Sequence, residues 1–263
     1  MKLSMSGKDK YKTCSEMYRL HYVEKIRPIR QSSALIFGSA LDNSLNKLLE
    51  NREDLEAAVD VFLTEWDKYE LVSNIDYFAS DLNLDIIPEH EAADLQSQPN
   101  SIEYNHKANW LSLKHKGLKL IQTYHEEILP RIKTVHSVQR NISVMGSCSE
   151  GNETEDEIIG IVDLEADIEL ADGSIVHAIL DNKTTSSPYA KNSVLTKHQT
   201  AIYTFATGIK YAGFLTLNKK TFKTQIIVDV VPEDLQDVVV SEFVETIQNI
   251  KNEDFRKNAK NKC

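Results

Sequence analysis

The amino-acid sequence predicts an α/β protein in which helices flank a mixed central sheet. Segments 160–170 and 174–186 are rich in β-forming residues, and the second alternates apolar and polar side chains from Ile175 to Lys183, as strands do. An Asp-Gly turn signal at Asp172 and Gly173 joins the two segments and predicts a hairpin. Helical patterns precede and follow this hairpin, and that order of elements is typical of a layered α/β core.

The part of the chain before the hairpin is predicted to be mostly helical. Leucines lie on one side of a helix over 34–50, and a second helix covers 53–69. Apolar residues recur at helical spacing over 110–129 until Pro130 ends that helix. The stretch 73–104 is polar and irregular, which indicates a loop. We therefore expect a helical and irregular insertion at about 51–133, within a single domain spanning 1–263.

The remaining elements follow from the same periodicities. A strand is predicted over 134–145, and an acidic loop with glycine and serine over 146–157. After the hairpin, a helix over 191–207 precedes strands over 211–217 and 222–231, and a closing helix covers 232–250.

Composition and charge narrow the classes of function. The sequence has no signal peptide, no apolar stretch long enough to cross a membrane, and three widely spaced cysteines that make no disulfide framework. We therefore expect a cytoplasmic protein without a membrane partner. The net charge is −10, yet segments 104–125 and 182–228 carry lysines and no acidic residue. Basic segments within an acidic chain are typical of phosphate binding.

Asp163, Asp181 and Lys183 stand on the two strands of the predicted hairpin. A two-residue turn would pair Asp163 with Asn182 and separate the carboxylates. We therefore predict a three-residue loop or one β-bulge, either of which pairs Asp163 with Asp181 on one face. Two carboxylates can hold a hard divalent cation, which polarises a phosphate and activates water, and a lysine can hold that water. The pattern therefore predicts a phosphodiesterase site. Further acids make a solvated acidic hairpin the alternative: Glu165, Asp167 and Glu169.

Four short motifs resemble those of the PD-(D/E)XK nuclease superfamily, in its RecB-like branch. GIVDLEADI and AILDNKTTS resemble the central motif, and Gln199 with Tyr203 matches Q-x-x-x-Y on one helix face. Residues 33–49 resemble the first core helix, with Asp42 where the family has histidine and Gly38 one turn earlier, which predicts a close approach of the helix to the sheet. The opening C-x-x-x-Y is matched by Cys14 and Tyr18.

The resemblance implies a restriction-endonuclease-like core that cleaves DNA with Mg²⁺ or Mn²⁺. Asp163, Asp181 and the main-chain carbonyl of Asn182 are the implied metal ligands, with Asp42 as a further ligand, and Lys183 is the implied residue that positions water. The implied nucleic-acid contacts are Gln199, Tyr203, Thr184, Tyr18 and Arg19. We expect no iron–sulfur cluster, because four thiolates are needed and the chain has only Cys14, Cys148 and Cys263.

The RecB-like branch favours an exonuclease acting on single-stranded DNA or DNA ends in bacterial or phage recombination and repair, with a helicase or recombination protein as partner. Two alternatives stay open at the level of sequence. One is an endonuclease of a repair or CRISPR-adaptation-type system. The other is a catalytically inactive module that binds DNA ends, against which the intact set of Asp163, Asp181 and Lys183 argues.

Overall fold

The computed structural model describes residues 1–26, 31–52, 54–68, 102–103, 110–147 and 153–256. The strands are β1 (Lys2–Ser4), β2 (Gln31–Ser32), β3 (Ile102–Glu103), β4 (Ile132–Ser147), β5 (Glu153–Glu169), β6 (Ile175–Thr185), β7 (Tyr211–Asn218) and β8 (Thr224–Val230). The helices are α1 (Met5–Thr13), α2 (Ser15–Tyr18), α3 (Ser33–Glu50), α4 (Leu55–Asp67), α5 (Trp110–Thr123), α6 (Ser193–Thr196), α7 (His198–Thr207) and α8 (Glu233–Lys251). A π-helical turn, Arg19–Val23, follows α2, and another, Tyr124–Ile128, follows α5.

The main sheet has six strands and is mixed, as predicted. Its order is β1-β5-β6-β7-β8, with β4 also paired to β5. β1 runs parallel to β5 and β6 runs parallel to β7, while β4–β5, β5–β6 and β7–β8 are antiparallel. Along one edge of β5, the pairing with β1 ends at Ile159 and the pairing with β6 begins at Leu164. The edge between these two residues is therefore open.

A hydrophobic core lies on each face of this sheet. On one face, α3, α4 and α5 pack around fully buried Phe37, Phe62 and Trp66. On the other face, α7, α8 and the N-terminal segment pack against strand residues that include Ile179 and Phe214. Burial of apolar surface on both faces stabilises the three-layer arrangement.

Local interactions fix the ends of several helices. The Ser32 hydroxyl accepts a hydrogen bond from the Ala34 amide at 3.3 Å, and Asp54 Oδ1 accepts one from the Ala57 amide at 2.9 Å; such N-caps pair amides that the helix itself leaves free. At the C-terminal end of α7, Gly208 takes a φ of +72°, a left-handed conformation that glycine adopts readily.

The predicted element boundaries need two corrections. The loop predicted over 146–157 is wrong at both ends, because β4 continues to Ser147 and β5 begins at Glu153; residues 148–152 lie outside the described residues. A long antiparallel pair tolerates polar residues on a face that meets solvent. The helix predicted over 191–207 is interrupted at Lys197, whose backbone is extended.

The insertion predicted at about 51–133 is only partly described. Helices α4 and α5 lie within it, and Trp66 and Trp110 each donate an indole hydrogen bond to the other's main-chain carbonyl, at 3.1 and 3.3 Å. Of the loop predicted over 73–104, residues 73–101 and 104 lie outside the described residues. The two remaining residues form β3, which pairs in parallel with β2.

Two further findings concern the cysteines and the possibility of a membrane-spanning helix. Cys14 is 1% exposed and disulfide-bonded, a bond that the sequence did not predict; the other two cysteines lie outside the described residues. Among the helices of the described residues, none combines the length and the apolar character that crossing a membrane requires.

Candidate active site

The candidate site lies where β5 and β6 separate. The connecting loop has three residues: Leu170 donates its amide to the Ser174 carbonyl at 2.8 Å, and Gly173 takes a φ of +85°. Of the two predicted irregularities, the hairpin has the three-residue loop, and the resulting register brings Asp163 and Asp181 level. Beyond the pair Leu164–Leu180 the ladder stops.

Asp163 crosses the gap between the two strands. Its Oδ2 accepts a hydrogen bond from the main-chain amide of Asn182 at 3.1 Å. Because this contact replaces a ladder bond between main chains, it directs the Asp163 carboxylate toward the Asp181–Lys183 segment. A short loop and one side-chain contact thus set the geometry of the first candidate ligand.

A connected polar network surrounds Asp181, which is 3% exposed. Lys183 Nζ lies 2.5 Å from Asp181 Oδ2. Gln199 Nε2 donates to Asp181 Oδ1 at 2.7 Å and lies 3.1 Å from the Tyr203 hydroxyl. The first turn of α7 therefore holds Asp181 from one side while Lys183 holds it from the other. The sequence motifs predicted that these four residues act together, and the network unites them.

Burial makes this site electrostatically unusual. Burial, with repulsion from Asp181 and Asp42, raises the pKa of Asp163 to about 8. Burial also raises the pKa of Asp181, against the opposing effect of Lys183. Burial alone would lower the pKa of Lys183, but attraction to Asp181 and Asp163 outweighs it and the pKa is raised. A bound cation would stabilise these three buried carboxylates, which repel one another.

Asp42 faces this pocket from α3. Asp42, Asp163, Asn182 and Thr184 line one cavity of about 300 Å³. Asp42 Oδ2 accepts from Asn46 Nδ2 at 3.4 Å, while Asp42 Oδ1 is buried without a hydrogen-bond partner among the described residues. Burial raises the pKa of Asp42, and Asp181 adds to the shift.

The expected role of Gly38 is wrong. A side chain built at Gly38 would meet nothing within 4 Å among the described residues. Gly38 therefore does not bring α3 close to the sheet, and the position of Asp42 depends on the packing of the whole helix.

Sequence patterns missed two residues that lie near the carboxylates. Gln139 donates from Nε2 to Asp42 Oδ2 at 3.1 Å, and its φ is +53°, a strained value for a residue other than glycine. Tyr124 is fully buried, its hydroxyl has no partner among the described residues, and burial, followed by Asp42 and Asp163, raises its pKa. It opens a π-helical turn, a feature frequent at functional sites. Neither signal is visible in sequence alone.

A groove of about 770 Å³ reaches the network along the open edge of β5. Its walls include Ser4 and Asp9 of the N-terminal segment, with Lys183 and Gln199 at one end. At Gly160, a β-carbon would lie 2.8 Å from the Tyr203 ring. This glycine therefore gives Tyr203 room to stay packed at the groove.

Tyr18 and Arg19 are not brought into the network. Tyr18 is 5% exposed and its ring lies 5.7 Å from that of Tyr11 and 4.9 Å from that of Tyr22. Arg19 forms ion pairs with Glu16 and Glu24. These positions favour packing for Tyr18 and local charge pairing for Arg19, rather than the nucleic-acid contacts that the resemblance implied.

The residues present fit a hard divalent cation. Asp42 of α3 and Asp163 of β5 line the cavity, and Asp181 of β6 lies close enough to repel both. The buried Asp42 Oδ1 lacks a hydrogen-bond partner among the described residues. Such an atom is costly unless a donor or cation meets it, and oxygen donors are those that Mg²⁺ and Mn²⁺ prefer. Among the described residues, the pocket offers these cations no competing thiolate or imidazole ligand.

Comparison with known proteins assigns the family. A solved structure titled "Crystal structure of SSO0001" overlaps with a TM-score of 0.32 and 15% identity over 43% of this chain and 49% of that chain, which is too little to support an argument. The chain thus spans about half the length of that structure. The search of curated proteins found no match. The family model of the PD-(D/E)XK nuclease superfamily matches residues 2–263, almost the entire chain, and the mixed sheet flanked by helices is consistent with its restriction-endonuclease-like core. The chain belongs to the PD-(D/E)XK nuclease superfamily.

Proposed function

We propose that this protein is a Mg²⁺- or Mn²⁺-dependent deoxyribonuclease of the RecB-like branch that degrades single-stranded DNA or DNA ends. One observation carries the proposal: Lys183 and Gln199 both contact Asp181, and the Asn182 amide between Asp181 and Lys183 binds Asp163. The network combines a buried pair of carboxylates with a lysine and the side-chain amide of Gln199, which holds one of the carboxylates. This combination suits metal-assisted hydrolysis of a phosphodiester.

Each residue has a proposed role. Asp163, Asp181 and the main-chain carbonyl of Asn182 hold the cation, and Asp42 completes its shell directly or through water. When bound, the cation supplies Lewis-acid stabilisation of the phosphate and a more acidic water. Lys183 orients the attacking water as a point charge, and Gln199 fixes Asp181.

The groove along the open edge of β5 is the proposed path of the DNA strand. Lys183 and Thr184 meet the strand at the reacting phosphate, and Gln199 steadies the site beside it. Tyr203 is 6% exposed, so its ring does not stack on a base, and its hydroxyl accepts a hydrogen bond from Gln199. A strand entering from a free end suits an exonuclease, and a helicase or recombination protein would supply that end.

We also propose that the protein acts in the cytoplasm.

Calorimetric titration of Asp181→Asn with Mn²⁺ tests the metal site. An amide oxygen carries no charge, so we expect Mn²⁺ affinity to fall about tenfold or more and cleavage to be lost. The control is Asp237→Asn, which removes an exposed carboxylate on α8 and should leave both unchanged. Wild-type Mn²⁺ affinity in Asp181→Asn would place the metal elsewhere.

Linear and circular single-stranded DNA distinguish the competing functions. With Mg²⁺ present, cleavage of linear DNA alone supports the exonuclease, and cleavage of both supports an endonuclease of a repair or CRISPR-adaptation-type system. Binding without cleavage of either, with wild-type protein and either cation, would instead support an inactive module that binds DNA ends.

A further inference from the structure

A second cluster of metal-ligating side chains lies on the sheet apart from the candidate active site. His136, Asp167 and His177 come from the adjacent strands β4, β5 and β6, and one potential ligand atom from each lies within 4.8 Å of the others. Asp167 is four residues beyond Asp163 along β5, about 13 Å at the usual rise of a strand. The cluster is therefore a separate site.

Sheet pairing explains why these side chains meet. Asp167 and His177 are directly paired across β5 and β6, which places them on one face. On the other side of β5, the register shifts between Val135 and Ser137, so that β4 holds one more residue than its partner strand. That extra residue is His136. A β-bulge re-aims a side chain, and here the imidazole lies with its ring centroid 4.5 Å from that of His177.

Asp167 differs from the neighbouring carboxylates of β5 in the charged residue that it pairs with. Among the described residues, Glu165 pairs with Arg140 at 2.5 Å and Glu169 pairs with Lys133, whereas Asp167 pairs with His136 at 3.1 Å and with no lysine or arginine. Asp167 thus lies between two imidazoles on a face where neighbouring carboxylates have permanent cations.

A neighbouring carboxylate supports the cluster. His177 Nε2 lies 3.0 Å from Glu165 Oε1, and Glu165 is held in turn by Arg140 and by Ser137 Oγ at 3.3 Å. Carboxylates that orient metal-binding imidazoles are a regular part of such centres. The side chains of the three candidate ligands are 29–44% exposed, so an ion can enter from solvent and keep bound water.

We propose that His136, Asp167 and His177 bind a divalent transition-metal ion of the Zn²⁺ class, which pins β4, β5 and β6 together. Two imidazoles and one carboxylate suit Zn²⁺ better than Mg²⁺, which prefers an all-oxygen shell. Ligands from three strands mean that the bound ion stabilises the folded state, because the unfolded chain does not hold them together.

The test uses the full chain carrying Asp181→Asn, which abolishes nuclease activity and weakens metal binding at the nuclease centre, so that the His136–Asp167–His177 cluster is the tighter site. We expect Zn²⁺ titration by calorimetry to show one site, and Co²⁺ to develop a visible absorption band in the same protein. Adding His136→Gln and His177→Gln should lower Zn²⁺ affinity about tenfold or more and abolish the band. Adding His115→Gln instead, which removes an exposed histidine of α5, should change neither.

Folding of each variant is checked by circular dichroism and thermal unfolding. We expect Zn²⁺ to raise the melting temperature of the parent and not that of the double histidine variant. Asp167→Asn, which keeps the shape of the side chain, serves as a second variant if the histidine pair does not fold. Zn²⁺ affinity unchanged by these substitutions, or a parent that binds no Zn²⁺, would overturn the proposal.

Discussion

At the scale of single residues, a substitution of Lys183 can show whether this lysine is needed for cleavage, for DNA binding or for both. We expect Lys183→Ala to abolish cleavage while DNA affinity falls only slightly, because one lysine among many phosphate contacts shifts the salt dependence by about one unit. Rates of cleavage of linear single-stranded DNA, and binding isotherms at several salt concentrations, measure both effects. Lys191→Ala removes an exposed lysine of the same basic segment and should retain turnover. Retained turnover in Lys183→Ala would contradict the role given to Lys183.

Asp42 permits a test by replacement with the residue that relatives use. We expect Asp42→His to keep measurable cleavage and Asp42→Ala to lose about tenfold or more, since alanine leaves the cation one ligand short. Single-turnover cleavage at saturating Mn²⁺ makes the comparison. Equal activity in Asp42→Ala and wild type would mean that this carboxylate, although it faces the pocket, takes no part.

The sequence predicted some of these residues because their geometry is local. Asp163, Asp181 and Lys183 are fixed by one hairpin, and Gln199 and Tyr203 by one helical turn. Gln139 could not be found in this way, because its left-handed backbone and its contact with α3 arise from packing between distant segments. Tyr18 likewise packs against the distant Phe255, with 6.5 Å between the ring centroids, and a contact of this kind leaves no local pattern in the sequence.

At the scale of elements, the contact between α4 and α5 depends on Gly117. A β-carbon there would lie 2.0 Å from Cζ of Phe62, which is fully buried and stacked on Trp66. Alanine favours helices over glycine by about 1 kcal/mol, but so close a clash with a ring that cannot move costs more. We expect Gly117→Ala to lower the free energy of unfolding by about 1–3 kcal/mol.

Gly38 provides the matched control for that substitution. It also lies within a helix, yet a β-carbon there meets nothing within 4 Å among the described residues. Gly38→Ala should therefore raise the free energy of unfolding by about 0.5–1 kcal/mol. Urea denaturation of both variants decides the matter, and equal effects would show that packing at Gly117 is looser than the geometry indicates.

The sequence predicted the elements that have a regular apolar spacing, but it did not predict where a helix is interrupted. Helix α3 and strand β7 begin within one residue of the prediction, because their apolar spacing is regular. The break before α7 occurs at Lys197, whose backbone is extended although lysine favours helices. The apolar spacing on either side gives no sign of this break. The strands β1 and β2 are too short to show any period.

At the scale of the whole molecule, an ion pair between a buried lysine and a partly exposed glutamate joins the N-terminal segment to α8. Lys8 is 1% exposed, and its Nζ lies 2.6 Å from Glu242 Oε2 and 3.0 Å from His198 Nδ1. Glu242→Gln removes the charge that the buried ammonium faces. We expect a loss of about 1–3 kcal/mol in the free energy of unfolding at pH 7.

The same variant has a defined pH dependence. The hydrogen bond from Lys8 lowers the pKa of Glu242 in the folded protein, so its stabilisation is complete above the unfolded pKa of about 4.3. It is lost as the pH falls through the lower, folded pKa. Urea denaturation from pH 7 to pH 3 should show the difference between Glu242→Gln and wild type shrinking below about pH 4. Glu245→Gln, at the exposed pair with Lys12, should have little effect at any pH. A difference that stays constant with pH would contradict the pairing.

The pairing of β1 with β5 has a consequence for the order in which the protein becomes competent. Leu3 pairs with Ile158, and the Tyr11 hydroxyl binds the carbonyl of Asp254 at 2.6 Å. On the ribosome, which adds about 5–20 residues each second, Tyr11 must wait on the order of ten seconds or more for Asp254. Ser4, Met5 and Asp9 of the N-terminal segment form a wall of the groove beside Lys183. The strands that carry Asp163 and Asp181 are therefore synthesised before Asp254, whose contact with Tyr11 holds α1 in place. The wall of the groove that α1 provides is fixed only after the carboxylates can already have come together.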